Sequence, residues 1–331
     1  MNLVKPSYEI IEQGPGLQGI YDIIEKCGKT SYKSEVKGGE VAKRFVDSRA
    51  KEGHGAVLEF GTVYLRIPWD EHDDVVFYEN NSYSRVNRVF REDDEDGIIY
   101  FVTTNYRVLV ENDHLDDLKY LCEPTEYHEK RYAVKFIVDR FTGEEFIRHR
   151  TFSFCRESSR YCNYSKDKFG GSITFVIPPW IDLPECEDLA YWDGDWVDMK
   201  DMKIICPGDR TRTNAWLRAL DFAETHYMVL TNDWSDMDGV PEEDKDPWQA
   251  QQARTVLPCA IKSPLAMCGF SKDWVHFFCL RSDISLTGKP HPQAQELANP
   301  LRDEFIKRGY ITEEELNKRV KQLKDAEKKR S

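Results

Sequence analysis

The chain has 331 residues, 40% of them hydrophobic and 12% aromatic, the composition of a globular protein, which supports one large core or two smaller ones and argues against disorder except at the end. Lys plus Arg total 46 against 59 Asp plus Glu, a net charge of −13, so long polyanions are repelled and general DNA or RNA binding is disfavoured. Nine scattered cysteines without a CxxC pair, no signal peptide at the start and no apolar run near the roughly 20 residues that cross a bilayer point to a reduced, cytoplasmic chain with no metal site and no membrane span.

Apolar residues at helical spacing in Leu17 to Lys29 (Leu17, Ile20, Ile23, Ile24), then Ala42 to Val46, predict two opening helices. Ala56 to Arg66 is rich in β-branched and aromatic residues and predicts a strand that Pro68 stops. Between 67 and 131 stand an Asn80-Asn81 turn, an acidic loop from Glu92 to Gly97 and a helix over Tyr106 to Tyr120; this stretch reads as an insertion of unassigned fold. Tyr132 to Arg140 predicts a buried strand, and Thr142-Gly143-Glu144-Glu145 opens a short helix that carries Phe146 and Ile147 to Arg148. Gly170-Gly171 turns the chain into a strand over Ser172 to Ile177, ended by Pro178 and Pro179.

Residues 180–212, aromatic among many acids, read as surface elaboration. A long amphipathic helix follows, with Trp216, Leu220, Ala223, Tyr227 and Leu230 on one stripe. A second helical run covers Pro247 to Arg254 before Leu257-Pro258, and Trp274 to Leu280 is a core segment closed by Arg281. Thr312 to Ser331 is a charged helix, Glu early and Lys late, as the helix dipole favours. The expected organisation is a single domain over 1–311, with insertions at about 67–131 and 180–212, and a helical tail over 312–331.

The segment from Arg148 to Tyr161 concentrates four arginines, one histidine and three serines without a lysine. A guanidinium is a rigid fork of donors that meets phosphate oxygens two at a time, so this density reads as a nucleotide site.

Arg148-His149-Arg150, seven further residues and Ser158, followed by Arg160-Tyr161, resembles the signature of flavin-dependent thymidylate synthases. The likeness extends to Ser153, to His54 through Glu59 before a strand, to Ala253 through Pro258, and to Trp274 through Arg281 with Ala294-Gln295-Glu296. What it implies is an α+β fold with an antiparallel sheet and flanking helices. The implied reaction is reductive methylation of dUMP to dTMP at C5, with FAD as redox centre, NADPH as electron source and methylenetetrahydrofolate as carbon donor. It also implies a homotetramer with sites between subunits. Carried over by position, Arg148, His149, Arg150, Thr62, Ser153, Arg156 and His276 would hold FAD. Glu145, Arg148, Glu157, Ser158, Ser159, Arg160, Arg254 and Arg281 would hold the nucleotide, with Arg281 and Ser158 at the reacting centre.

Those residue types suit the chemistry. Negative charge that builds on the O4 and N3 edge of uracil as C5 attacks is best met by a fixed cation in a dry site, the role Arg281 would fill. A reduced flavin and its diphosphate carry negative charge at both ends, which the arginine segment would balance. With hydride transfer available, neither Cys155 nor Cys162 is needed as a nucleophile. Duller readings stand beside these: a salt bridge from Arg281 to Asp283 or Glu296, Ser158 as a turn cap, His276 as a core residue. Departures from the family pattern are Cys155-Arg156 for Asn-Glu, Glu145 for Gln, Phe60 for His and Phe270 for Asn. They keep open a related flavin methylase on another pyrimidine nucleotide, or a non-catalytic nucleotide-binding homologue.

Overall fold

The computed structural model describes residues 1–90, 97–285 and 288–328; the acidic loop expected from Glu92 falls, up to Asp96, outside the described residues. Strands β1 (Asn2–Val4) and β2 (Ser7–Ile11) precede helices α1 (Gly16–Gly28) and α2 (Gly39–Lys51). Ile20, Ile23 and Ile24 of α1 are buried, as their spacing predicts. The strand expected from Ala56 starts later: residues Gly55–Leu58 make a short helix, α3, and β3 (Thr62–Pro68) begins after a turn. Gly61 permits that turn, since a Cβ there would lie 2.6 Å from Ile24 Cδ1.

The stretch 67–131 has its own layer. Helix α4 (His72–Asn80), β4 (Arg85–Phe90) and β5 (Ile98–Asn105) follow, and the strands form an antiparallel sheet in the order β3-β5-β4. The helix expected over Tyr106 to Tyr120 is split into α5 (Tyr106–Glu111) and a 3-10 turn (Leu115–Tyr120), because Asp113 between them takes φ +58°.

Next come β6 (Arg131–Ile137), α6 (Arg140–Ile147), β7 (Ser153–Arg156) and β8 (Thr174–Val176), the last entered through Gly170 and Gly171 at φ +105° and +63°. Residues 180–212 are no mere elaboration. They form an antiparallel sheet of β9 (Leu189–Trp192), β10 (Asp195–Asp198) and β11 (Lys203–Cys206) that buries Trp196 completely, its Nε1 donating to Asn214 Oδ1 at 2.9 Å. Helix α7 (Thr211–Thr231) buries Leu217, Leu220, Ala223, Tyr227 and Thr231, a stripe turned slightly from the expected one: Trp216 and Leu230 are only partly covered. Short helices α8 (Glu242–Lys245) and α9 (Ala250–Ala253) lead to β12 (Leu265–Phe270), α10 (Ser271–Arg281), α11 (Pro292–Lys307) and α12 (Glu313–Lys328).

The chain is α+β, and its central sheet is antiparallel in the order β2-β6-β12-β7; among the described residues only β1 and β8 pair in parallel. Side chains alternate across that sheet. Val134, Phe136, Leu265 and Met267 join Phe277, Phe278 and Phe305 of α10 and α11 on one face, whereas the smaller Ala133, Ala266 and Cys268 meet α1 and β3 on the other. Burial on both faces makes the sheet a fixed frame, and it holds the turn between α6 and β7 beside the end of α10, where His149 meets Arg281. Leu316 of α12 is buried in the same core as α10. Among the described residues no helix is long and apolar enough to cross a membrane.

Candidate functional site

Asp139 starts α6: its Oδ1 accepts from the backbone N–H groups of Phe141 (2.8 Å) and Thr142 (3.1 Å). The helix runs out at Ile147, and Arg148, His149 and Arg150 lie on the turn into β7, where His149 N–H bonds Phe146 O at 3.1 Å. Arg148 and Arg150 are exposed while His149 is only 7% exposed. The motif therefore sends two cations outward and one imidazole inward.

Inside, His149 meets α10. Its ring centroid is 5.0 Å from Phe277 and 6.1 Å from His276, and its Nε2 accepts from Arg281 Nε at 3.2 Å. Arginine only donates, so His149 Nε2 is the acceptor and the proton of the neutral ring sits on Nδ1. Burial, then the Arg281, His276 and Arg148 charges, push the His149 pKa down to about 3. His276 is likewise pushed down, by burial and by Arg319 of α12, whose Nη2 lies 3.3 Å from His276 Nδ1; this ring carries its proton on Nε2.

Arg281 closes α10 and is clamped by one residue of α6. Its Nη1 donates to Glu145 Oε2 at 2.6 Å and its Nη2 to Glu145 O at 2.8 Å. The duller reading had the wrong partner, because Asp283 is taken by Arg302. Arg156 is occupied too, donating to Glu144 Oε1 at 2.9 Å. In contrast, among the described residues Arg148, Arg150 and Arg160 have no carboxylate partner, in a chain with 59 acids. Unbalanced guanidiniums on one segment fit an anionic ligand such as a dinucleotide or a nucleotide phosphate.

A second group forms after β7. Buried Glu157 accepts from Tyr164 Oη at 2.9 Å, and Ser158 Oγ accepts from Arg160 N–H at 3.3 Å, the turn cap that the duller reading foresaw. Ser159 Oγ accepts from Arg254 Nη1 at 3.4 Å. Arg140, Glu157, Ser159, Tyr164, Arg254 and Lys262 line a cavity of about 240 Å³. Sequence reasoning missed Arg140 and Lys262, which lie outside the motif blocks and become neighbours only through the sheet.

Thr62 and Ser153 lie elsewhere within the single chain, on a guanidinium that sequence reasoning also missed. Buried Arg131 donates through Nη1 to Glu59 O (3.0 Å) and Thr62 Oγ1 (3.3 Å), and through Nη2 to Ser153 Oγ (3.2 Å). Phe60 is fully buried and Phe270 stacks with Arg85 and Arg131 at 4.6 and 5.6 Å, so both departures are core residues. Burial raises the thiol pKa of Cys155, and that of Cys162 to about 11, which keeps both protonated and unreactive.

The family described as thymidylate synthase complementing protein matches residues 123–308. Among solved structures, a UMP/dUMP methylase PolB from Streptomyces cacaoi bound with 5-Br dUMP is similar at 14% identity over 93% of each chain, with a TM-score of 0.38. Thymidylate Synthase X from Helicobacter pylori with FAD and dUMP is similar at 20% identity over 56% of this chain and 73% of that one, with a TM-score of 0.34. No curated protein matches. With superpositions this loose, the family match is the finding that identifies the chain.

Proposed function

The chain belongs to the thymidylate synthase complementing protein family, and from that premise we propose that it methylates dUMP to dTMP at C5, using FAD, NADPH and methylenetetrahydrofolate. The observation that carries this reading is the set of guanidiniums on one segment, Arg148, Arg150 and Arg160, that have no carboxylate partner among the described residues, together with the clamped Arg281, whose charge Arg148 neighbours. Arg148, His149, Arg150 and His276 would hold FAD, with Thr62, Ser153 and Arg156 carried over from the family pattern. Bound there, FAD would supply the hydride that completes the methyl group.

The chain's own residues have simpler tasks. Ser158, Ser159, Arg160 and Arg254 would take the nucleotide phosphate, which fixes the base relative to Arg281. Arg281, its plane set by Glu145 and His149, would face the O4 and N3 edge and stabilise charge that grows as C5 attacks. A guanidinium already oriented needs little rearrangement at that moment. Glu157 would bond the nucleotide from the cavity wall. We further propose a cytoplasmic homotetramer whose sites lie between subunits, built on a single domain over 1–311 with a helical tail from 312.

A second reading is supported by Arg156, which stands where the family usually has a carboxylate and is engaged by Glu144: the same chemistry on another pyrimidine nucleotide. Purified protein should absorb between roughly 350 and 500 nm, bleach with NADPH, and form dTMP only when dUMP and methylenetetrahydrofolate are both present. Bleaching without dTMP would favour the second reading. Colourless protein that cannot be loaded with FAD would sink both.

A further inference from the structure

Beside the Ser159–Arg254 cavity lies another, of about 350 Å³, which shares Glu157 and Lys262 as a common wall. Lysines dominate its lining: Lys26, Lys29, Lys33, Lys135 and Lys262. Two of them are balanced, Lys26 by Glu9 at 2.7 Å and Lys29 by Glu25 at 2.5 Å. Glu35 at the rim faces Lys37 at 3.9 Å. The other three are different. Lys33 donates to the carbonyl of Phe169 and lies 5.8 Å over the Tyr164 ring, contacts that satisfy donors without cancelling charge. Among the described residues, neither Lys135 nor Lys262 makes an ion pair or a side-chain hydrogen bond.

The backbone holds this crowd in place. Lys262 N–H bonds Thr174 O at 2.9 Å, Ser263 N–H bonds Val138 O at 2.7 Å, and Lys135 sits inside β6. Glu157, already bonded to Tyr164, opposes the three ammoniums, and Glu9, which stands opposite Lys135 across β2 and β6, is engaged by Lys26; by that pairing two positive charges remain on a partly dry wall. Burial, then the Lys33 and Lys135 charges, push the Lys262 pKa down against the pull of Glu157. In a chain of net charge −13, such a cluster is no product of general basicity.

We propose that the Lys33–Lys135–Lys262 cavity is a second anion site, adjoining the Ser159–Arg254 pocket but separate from it, and that it takes a phosphate-type dianion. A dianion matches the charge left over, whereas a lone carboxylate would leave one ammonium uncompensated. Ammoniums are compact, rotatable donors that suit a tetrahedral oxyanion approached from several sides. This site does not depend on the methylase reading.

Calorimetric titration of the full chain with inorganic phosphate, at ionic strength held by chloride, tests it in two settings: with saturating dUMP, and in Arg254→Ala. One saturable phosphate site per chain is expected in both. Lys135→Met with Lys262→Met keeps the aliphatic stems and removes the charges, and should weaken phosphate binding at least about tenfold, the effect of losing one to two charge-assisted hydrogen bonds. Should that double variant fail to fold by circular dichroism, Lys33→Met alone should weaken binding about threefold or more. An absence of saturable heat in Arg254→Ala, loss of phosphate binding when dUMP is added, or unchanged affinity in the lysine variants would each overturn the proposal. A positive result says nothing for or against dUMP methylation, so the two ideas fail separately.

Discussion

His149 makes folding sensitive to acid in a way that can be worked out. Its folded pKa is held at about 3 against an ordinary value near 6.5, so between those values the unfolded chain binds a proton that the folded chain refuses. Stability is therefore complete above about pH 6.5 and falls as the pH drops toward 3. Integrating the difference in bound protons, His149 alone costs about 2 kcal/mol by pH 5 and about 4 kcal/mol by pH 3. Since the ring is 7% exposed, solvent does little to soften this. His128 and His276 are also pushed down, chiefly by burial, and act in the same direction, so the contribution must be isolated by difference. His149→Gln can keep an acceptor for Arg281 Nε while removing the titration. Urea unfolding at about pH 7.5 and pH 5 should show the variant losing about 2 kcal/mol less than the parent over that interval. Parallel losses in the two proteins, or an NMR titration of His149 with its midpoint near 6, would refute the reasoning.

Other perturbations have equally definite outcomes. Arg281→Ala should lower kcat roughly 100-fold or more with FAD retained, whereas Arg148→Ala should weaken FAD binding about tenfold or more; steady-state kinetics and flavin titration separate the two, and the reverse pattern would show that the roles are misassigned. Gly269→Ala would place a Cβ 2.6 Å from Phe152 Cδ1, and its urea midpoint should fall by the equivalent of about 1–3 kcal/mol, while an unchanged midpoint would mean the sheet yields freely. Arg319→Gln should raise the His276 pKa by removing a like charge, and an NMR titration that finds it unmoved would show the 3.3 Å contact to be absent in solution.

Much of the frame was legible because it rests on local pattern. The isoleucine spacing of α1, the β-branched run of β6 and the double glycine before β8 each declare their element within a few residues. Misreadings came where a short tertiary demand overrode the pattern. Ala56 to Leu58 have strand-like composition but form a helical turn that lets Gly61 press against Ile24. Trp196 reads as surface among its acidic neighbours, yet the pairing of β10 with β9 and β11 gives it a dry pocket and Asn214 as acceptor. The linear order of arginines was also plain, but not which of them are already occupied. Glu145 and Arg281 are 136 residues apart, and no periodicity reports a contact of that range. Arg131 and Lys262 escaped for the same reason.

Two adjacent acids on α6 explain how the arginines divide. Glu144 takes Arg156 and Glu145 takes Arg281, so the two departures in which a cation stands at 156 and a carboxylate at 145 are balanced within one turn of helix. Had the acids been absent, Arg156 would join Arg148 and Arg150 as an uncommitted cation and Arg281 would lose the carboxylate that sets its plane. With them in place, Arg148, Arg150 and Arg160 have no carboxylate partner among the described residues, while Arg281 is held beside His149. The α6 pairs thus divide the guanidiniums into two that carboxylates orient, Arg156 and Arg281, and three that none does among the described residues.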